Sequence, residues 1–184
     1  EQSAFEVPIY AKEGQTITVI VESQGRVCYG PDINDAKGII GDVTLGSATL
    51  GPWQNTPVNL EKQPLLPPSL HHLMNSGNSL TTTQGEMTFY SGTFNVDGEP
   101  QDTFLKFTGW NKGVLWINGF CLGRYWPIVG PQLTLYVPHG ILQTGENGIT
   151  ILELEGAPCG NALDDTCSVE FTTEHVIDGP VPDA

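Results

Sequence analysis

An Asn-Gly pair between two apolar runs constrains the fold of this chain more than any other feature. Residues 114–117 are rich in β-forming side chains, Asn118 and Gly119 follow, and the chain resumes at 120–126. A two-residue type I′ turn needs positive φ at both central positions, and Asn-Gly adopts it readily. The stretch therefore predicts a tight β-hairpin, with Gly123 marking a bulge or a close backbone approach in its second strand.

Alternation of apolar and polar residues predicts further strands along the chain. They cover residues 16–22, 87–96, 103–107, 132–137, 148–155 and 168–173, with one or two more within 38–50. A short helix at 70–74 is only weakly signalled. The 22 Gly and 14 Pro among 184 residues are typical of a turn-rich β protein. The sequence therefore predicts an all-β fold.

Two segments of the chain resemble each other. Residues 16–30, TITVIVESQGRVCYG, and residues 148–162, GITILELEGAPCGNA, each carry an alternating strand, an acid at its end, then Gly and Cys. Such an internal repeat indicates two related β-modules. In the second module the hairpin precedes the repeated strand at 148–155, whereas in the first module only fifteen residues precede the repeated strand at 16–22. We therefore expect the first module to be incomplete at its N-terminal side.

The charge of the chain excludes two classes of partner. The formal net charge is −14, from 21 acidic and 7 basic residues. The phosphates of a nucleic acid or of an anionic membrane repel such a chain. No apolar run approaches the length of a membrane-spanning helix. We therefore predict no nucleic-acid partner and no membrane partner.

A long block around the hairpin resembles the C-terminal β-domain of family 35 β-galactosidases of the animal lysosomal type. The matching pieces are QDTF at 101–104, GW at 109–110, KGVLWINGFCLGRYWP at 112–127, GPQLTLYVP at 130–138 and ITILELEGAPC at 149–159. A second block, GRVCYGPDINDAKGI at 25–39, is similar to part of the β-domain that precedes it in those enzymes.

The resemblance implies a domain plan and a function. It implies a jelly-roll, galactose-binding-domain-like β-sandwich at 87–175, preceded by part of a β-module at 1–60 and a linker at 61–86, with a tail at 176–184. In those enzymes a catalytic barrel stands earlier in the chain and holds the Glu pair that removes terminal β-galactose with retention. The chain would then be a non-catalytic portion that supports the barrel and shapes assembly.

A partner and a compartment follow from the same resemblance. An incomplete sheet leaves an edge of unpaired backbone groups, so we expect either the N-terminal barrel fragment of the same precursor or a second copy of this chain to cover it. The alternative is a free-standing secreted protein, carbohydrate-binding and lectin-like or structural, that reuses the β-domain. Both hypotheses place the chain in the lysosome or outside the cell, and neither implies a cofactor.

Side chains able to carry out chemistry are sparse. Glu153 and Glu155 are the nearest carboxylate pair, but they alternate with leucines and are predicted to face the solvated side of a strand, with Arg124 as a partner. We therefore predict no catalytic residue in this chain. A polar loop has oxygens that could bind Ca²⁺, but an ordinary loop is favoured and no metal site is predicted; the loop residues concerned are Asn161, Asp164 and Asp165.

The four tryptophans raise the question of sugar binding. Trp116 and Trp126 lie in predicted strands, where packing in the core is expected. Trp110 follows Gly109 in a predicted turn, which makes it the exposed candidate for stacking on a sugar. Packing of Trp110 at a junction between modules is the alternative.

The four cysteines suggest one disulfide and leave a second as a hypothesis. Cys159 and Cys167 flank a short polar loop, and the resembling enzymes carry a Cys pair at this place, which favours a bridge over two free thiols. A bridge would indicate an oxidising or lysosomal compartment. Cys28 and Cys121 stand where those enzymes more usually have Asn, so a second bridge between the modules is a further hypothesis. Two small buried thiols are its alternative.

Overall fold

A computed structural model describes residues 6–63, 87–158 and 168–182. The chain divides into two compact units, Glu1–Thr56 and Pro57–Ala184. Within the described ranges the regular elements are strands and two short 3-10 segments, Pro31–Asn34 and His139–Ile141. Nowhere in these ranges is there a helix long and apolar enough to span a bilayer. The predicted all-β class is confirmed.

The first unit carries one short hairpin within residues 6–56. Strands β1 (Thr44–Leu45) and β2 (Ala48–Thr49) pair antiparallel, as predicted for 38–50. The predicted strand at 16–22 is wrong, because these residues form no strand in the structure and Ile20 is 62% exposed. β-Branched residues favour extended backbone, but a strand needs a partner for its N–H and C=O groups. The described part of this unit supplies no such partner to residues 16–22.

The described strands of the second unit form two antiparallel sheets. They are β3 (Thr88–Val96), β4 (Thr103–Lys106), β5 (Gly113–Ile117), β6 (Phe120–Tyr125), β7 (Thr134–Val137), β8 (Gly145–Glu153) and β9 (Glu170–Thr172). One sheet has the order β3-β8-β5-β6 and the other the order β7-β4-β9. Every strand predicted in this region is present, with ends that differ by up to three residues.

The two sheets share one apolar core. Leu105 of β4, Leu115 of β5, Val137 of β7 and Ile151 of β8 belong to a single buried cluster, and Leu115 is 0% exposed. Successive residues of a strand point to opposite faces, so these positions mark the inner face of each sheet. The arrangement is the predicted β-sandwich.

Asn118 and Gly119 form the predicted hairpin turn. Their φ angles are 50° and 80°, the two positive values of a type I′ turn, and Ile117 pairs with Phe120 across them. The predicted irregularity is also present, because the pairing of β5 with β6 shifts register next to Gly123, whose φ is 112°. The hairpin and its bulge are therefore set by local sequence.

A smaller cluster lies on the outer face of the four-stranded sheet. Trp116, fully buried, packs there with Leu60 and Leu152. Trp116 Nε1 donates to the Leu60 carbonyl at 3.1 Å, and Gln63 Nε2 donates to Thr150 Oγ1 at 3.0 Å. Leu60, the last residue of the predicted first module, and Gln63, near the start of the predicted linker, thus pack within the second unit. The rest of that linker, with the short helix predicted at 70–74, lies outside the described residues.

Candidate functional site

A cavity lies between the end of β6 and the start of β7. Its volume is about 150 Å³. Pro127 cannot donate to a sheet ladder, so the chain leaves β6 here and re-enters a sheet at Thr134. The lining combines apolar and polar side chains, among them Phe107, Arg124, Trp126, Gln132, Leu133 and Thr134.

Trp126 is the unusual residue of this cavity. Its Nε1 atom is buried and has no hydrogen-bond acceptor among the residues that the structure describes. By contrast, the Nε1 atoms of Trp110 and Trp116 donate to backbone carbonyls at 2.8 and 3.1 Å. The ammonium of Lys112, a residue only 4% exposed, lies 4.0 Å from the centroid of the Trp126 ring. This cation–π contact fixes one face of the indole.

Tyr125 connects the cavity wall to a buried acid, Glu153. Glu153 Oε1 accepts hydrogen bonds from the backbone N–H groups of Lys112 at 3.0 Å and Glu155 at 2.9 Å. Its Oε2 accepts from the Asn111 N–H at 3.1 Å and the Tyr125 hydroxyl at 3.0 Å. The prediction that Glu153 faces solvent is wrong, because it is 0% exposed and these four donors take the place of water.

The buried acid holds its neighbours in place. Burial, and then the carboxylate of Glu153, raise the pKa of Tyr125 well above its usual value, so its hydroxyl remains a donor. Gly113 allows the close packing of this region, because a Cβ there would collide with the Leu152 carbonyl and the Tyr125 hydroxyl. With both oxygens engaged, Glu153 joins the ends of the strands around it.

A second polar cluster lies at the surface, beside the end of β7. Asp102 Oδ1 accepts from the backbone N–H of His139 at 2.8 Å and lies 2.7 Å from His139 Nδ1. These contacts, the backbone hydrogen bond first, lower the pKa of Asp102 to about 2. A hydrogen bond to Asp102 raises the pKa of Tyr136.

Among the described residues, no three His, Cys, Asp or Glu side chains come together as metal ligands would.

Trp110 does not lie where the sequence placed it. It is 2% exposed, and the rings of Tyr90 and Tyr125 pack edge-on to it at centroid distances of 5.2 and 6.4 Å. The prediction of an exposed Trp110 is wrong, because the turn after Gly109 folds the ring into the core, where burying a large aromatic surface is favourable. A sugar has no access to this ring.

The environment of Trp126 also differs from the one that the sequence predicted. Sequence reasoning assigned Trp126 to the core, but the structure places this residue half-buried at the cavity with an unpaired indole N–H among the described residues. The available signal was Pro127, which cannot donate to a sheet ladder, so that β6 ends at Tyr125 and Trp126 lies just outside it.

The cysteine predictions stay predictions. Cys28 is an exposed free thiol of the first unit, and Cys121 is a half-buried free thiol of the second. The structure thus gives no support to the hypothesised bridge between them. Cys159 and Cys167, and the polar loop that they flank, lie outside the described residues.

Two family models match the chain, and both describe β-domains. "Beta-galactosidase, first all-beta domain" matches residues 1–59, and "Beta-galactosidase, galactose-binding domain" matches residues 87–147. Together they cover more than half of the 184 residues. The chain belongs to the β-galactosidase family. The resemblance inferred from the sequence is therefore confirmed, and the cavity lies within the part matched by the galactose-binding domain.

Curated β-galactosidases match nearly the whole chain but only part of their own length. The dog protein is 45% identical over 94% of this chain and 27% of its own length. The mouse protein is 44% identical over 92% of this chain and 28% of its own length. Beta-galactosidase 17 of Arabidopsis thaliana is 37% identical over 85% and 24%. The chain thus spans about a quarter of the length of these members of the β-galactosidase family.

Proposed function

We propose that this chain is the non-catalytic β-domain portion of a longer β-galactosidase, whose catalytic portion removes terminal β-galactose. The observation that carries the proposal is the asymmetry of the match, which covers 94% of this chain and 27% of the dog enzyme. Retaining glycosidases need two carboxyls facing one sugar. The nearest pair here includes Glu153, which is buried and fully hydrogen-bonded. Each relative named above is a β-galactosidase, which gives the free-standing lectin hypothesis no support.

The first unit supplies a surface for the rest of that polypeptide. Its exposed apolar side chains include Ile9, Val19, Ile20, Ile39 and Ile40. Monomeric proteins rarely leave so much apolar surface in contact with water. Because the chain spans about a quarter of its relatives, most of a β-galactosidase remains outside it to cover these side chains. A second copy of this chain is the competing occupant.

Production of the chain in two forms tests the proposal. The chain is purified alone, and also together with the preceding portion of its own longer polypeptide carrying a separate tag. We expect no hydrolysis of a chromogenic β-galactoside by the chain alone, and turnover by a stable complex of the two portions. Turnover by the pure chain would contradict the proposal. A native mass of twice 19.9 kDa for the chain alone would assign the apolar surface to a second copy.

The compartment forms part of the same proposal. An expected bridge between Cys159 and Cys167 favours the lysosome or the extracellular space, where disulfides persist. Peptide mapping of the native protein without reduction should recover the two cysteines in one linked fragment. Two freely alkylated thiols would remove this argument.

A further inference from the structure

Two Asn-Gly pairs of the second unit are in direct contact in the structure. They are Asn118-Gly119 in the hairpin turn and Asn147-Gly148 near the start of β8. Asn-Gly is the dipeptide that loses ammonia most readily, because glycine leaves the following backbone nitrogen unhindered. Asn118 is exposed at the turn, whereas Asn147 is only 1% exposed. The contact between the pairs links the chemistry of the buried one to the side chain of the exposed one.

Asn118 provides the acceptor for the backbone N–H of Gly148. Its Oδ1 atom accepts from this N–H at 2.9 Å, and its own backbone N–H donates to the Gly148 carbonyl at 2.9 Å. The pairing of β5 with β8 ends at Ile117 and Ile149, because the chain turns at Asn118. The side-chain oxygen of Asn118 therefore takes the place of the backbone carbonyl that a longer strand would offer.

The backbone nitrogen of Gly148 is the atom that attacks when Asn147 deamidates. It loses its proton to a solvent base and forms a bond to Asn147 Cγ. The Cγ–Nδ2 bond then breaks, and Nδ2 gains a proton from solvent and leaves as ammonia. Water opens the resulting succinimide ring and leaves aspartate or isoaspartate at position 147. The hydrogen bond from the Gly148 N–H to Asn118 opposes the first step, because it holds the proton on the nitrogen.

We propose that Asn147-Gly148 is a deamidation site that the side chain of Asn118 keeps closed while the protein is folded. The amide of Asn147 is also held, since its Nδ2 atom donates to the carbonyls of Gln143 and Gly145. Its Oδ1 atom accepts from the Gln143 N–H and from Asn118 Nδ2. Asn118 thus holds both the nitrogen that attacks and the amide that is attacked.

Deamidation at this position damages the fold because Asn147 is buried. Its Nδ2 atom lies 2.8 and 2.9 Å from two carbonyl oxygens. A carboxylate oxygen in its place brings a buried negative charge to those oxygens and supplies no donor. Isoaspartate also lengthens the backbone of β8, which is paired on both sides, by β3 and β5. The lock formed by Asn118 therefore protects the four-stranded sheet.

Peptide mapping of the full chain by mass spectrometry tests the proposal. The folded chain and its variants are incubated at mildly alkaline pH, and the peptide that contains Asn147 is followed with time. Asn118→Gly keeps the positive φ of the turn and removes the acceptor of the Gly148 N–H. It should raise the deamidation rate at Asn147 about tenfold, as the loss of one hydrogen bond implies.

Two control variants separate the loss of the acceptor from a loss of stability. Asn118→Asp disturbs the contacts of Nδ2 but keeps an oxygen that accepts from the Gly148 N–H, so the rate at Asn147 should stay near that of the unaltered chain. Ile151→Val lowers the stability of the same sheet without touching either Asn-Gly pair, and should also leave the rate unchanged.

Amide hydrogen exchange gives a second readout on the same proteins. In Asn118→Gly the Gly148 N–H should lose more protection than the amides of β5, which report the unfolding of the whole sheet. In the unaltered chain this N–H should exchange far more slowly than in a short peptide of the same sequence.

Three results would overturn the inference. They are an unchanged rate at Asn147 in Asn118→Gly, a control variant whose rate rises as much as that of Asn118→Gly, and exchange of the Gly148 N–H in the folded, unaltered chain as fast as in the short peptide. None of these measurements concerns galactoside hydrolysis, so this inference and the proposed function fail separately.

Discussion

The two units of this chain contain similar apolar β-forming runs and use them in opposite ways. In the second unit Leu115 and Ile151 are buried between two sheets, whereas in the first unit Ile20 and Ile40 face solvent. The second unit's β5 is hydrogen-bonded on both sides, by β8 and β6. Within the described residues, 16–22 have no strand on either side. The difference therefore lies in pairing and not in residue type.

This difference shows that an apolar β-forming run becomes part of a core only where other strands pair with it. Burial contributes roughly 25 cal/mol for each Å² of apolar surface removed from water. The second unit gains this free energy from contacts between its own residues. In the first unit, exposed apolar side chains such as Ile20 and Ile40 gain little of this free energy.

The largest expected effect compares one apolar side chain from each unit. Leu115→Ala should lower the free energy of unfolding of the second unit by about 2–5 kcal/mol, because it leaves a cavity in a closed core. Ile20→Ala should change the free energy of unfolding of the first unit by less than about 0.5 kcal/mol in the isolated chain, because this side chain is already exposed. Urea unfolding followed by tryptophan fluorescence measures both. Equal losses of unfolding free energy for the two variants would contradict this difference between the units.

The next effect concerns the buried acid. Glu153→Gln replaces an acceptor by an NH₂ group that faces other donors, and should destabilise the second unit by about 1–3 kcal/mol. Glu146→Gln is the matched control, because Glu146 lies on the same strand, β8, but is exposed. Thermal unfolding by circular dichroism compares them. Equal midpoints for the two variants would show that the four hydrogen bonds to Glu153 do not stabilise the fold.

A smaller effect is expected at the hairpin turn. Asn118 Nδ2 donates to the Ile141 carbonyl and to Asn147 Oδ1, each at 2.8 Å, and Asn118 Oδ1 accepts from the Gly148 N–H at 2.9 Å. Asn118→Gly keeps the positive φ but removes these contacts, and should cost about 1–2 kcal/mol in urea unfolding. An unchanged unfolding midpoint would mean that the turn is held by backbone geometry alone.

The smallest expected effect is the titration of Asp102. Its pKa should be about 2 and not the usual 3.8, because the backbone and then the ring of His139 hydrogen-bond the carboxylate. Since the folded pKa is depressed, the contribution to stability is present above about pH 4 and is lost as the pH falls through about 2. NMR of the side-chain carboxyl measures it. His139→Ala keeps the backbone N–H donor, so it should bring the pKa of Asp102 only part of the way back to 3.8. A pKa near 3.8 in the unaltered chain would contradict the prediction.

The strands of the second unit could be predicted because their signals are local. The hairpin follows from Asn118 and Gly119 alone, and the register shift occurs beside Gly123, as that glycine indicated. The order of the strands in the sheets could not be derived in this way. It depends on pairings such as β3 with β8, which join residues about sixty positions apart.

The errors of the sequence reasoning concern what lies opposite a residue. Glu153 alternates with leucines as a solvated acid would, but Asn111 and Lys112 bring donors to it from about forty positions away. Residues 16–22 have strong β-propensity, but no sequence pattern says whether a partner strand is present. The indole N–H of Trp126, which has no acceptor among the described residues, could not be predicted either, because the sequence does not show which carbonyls approach it.

The side-chain contacts of Asn118 also bear on the chemical ageing of this chain. An Asn-Gly pair loses ammonia most readily when the following backbone nitrogen can attack the side-chain amide, which requires a flexible chain. Here the amide group is held by three hydrogen bonds inside a tight turn. Deamidation would replace the NH₂ donor by a carboxylate oxygen facing two acceptors, the Ile141 carbonyl and Asn147 Oδ1. Each period spent unfolded therefore exposes the turn to a change that weakens the next refolding, so the folded state preserves its own covalent structure.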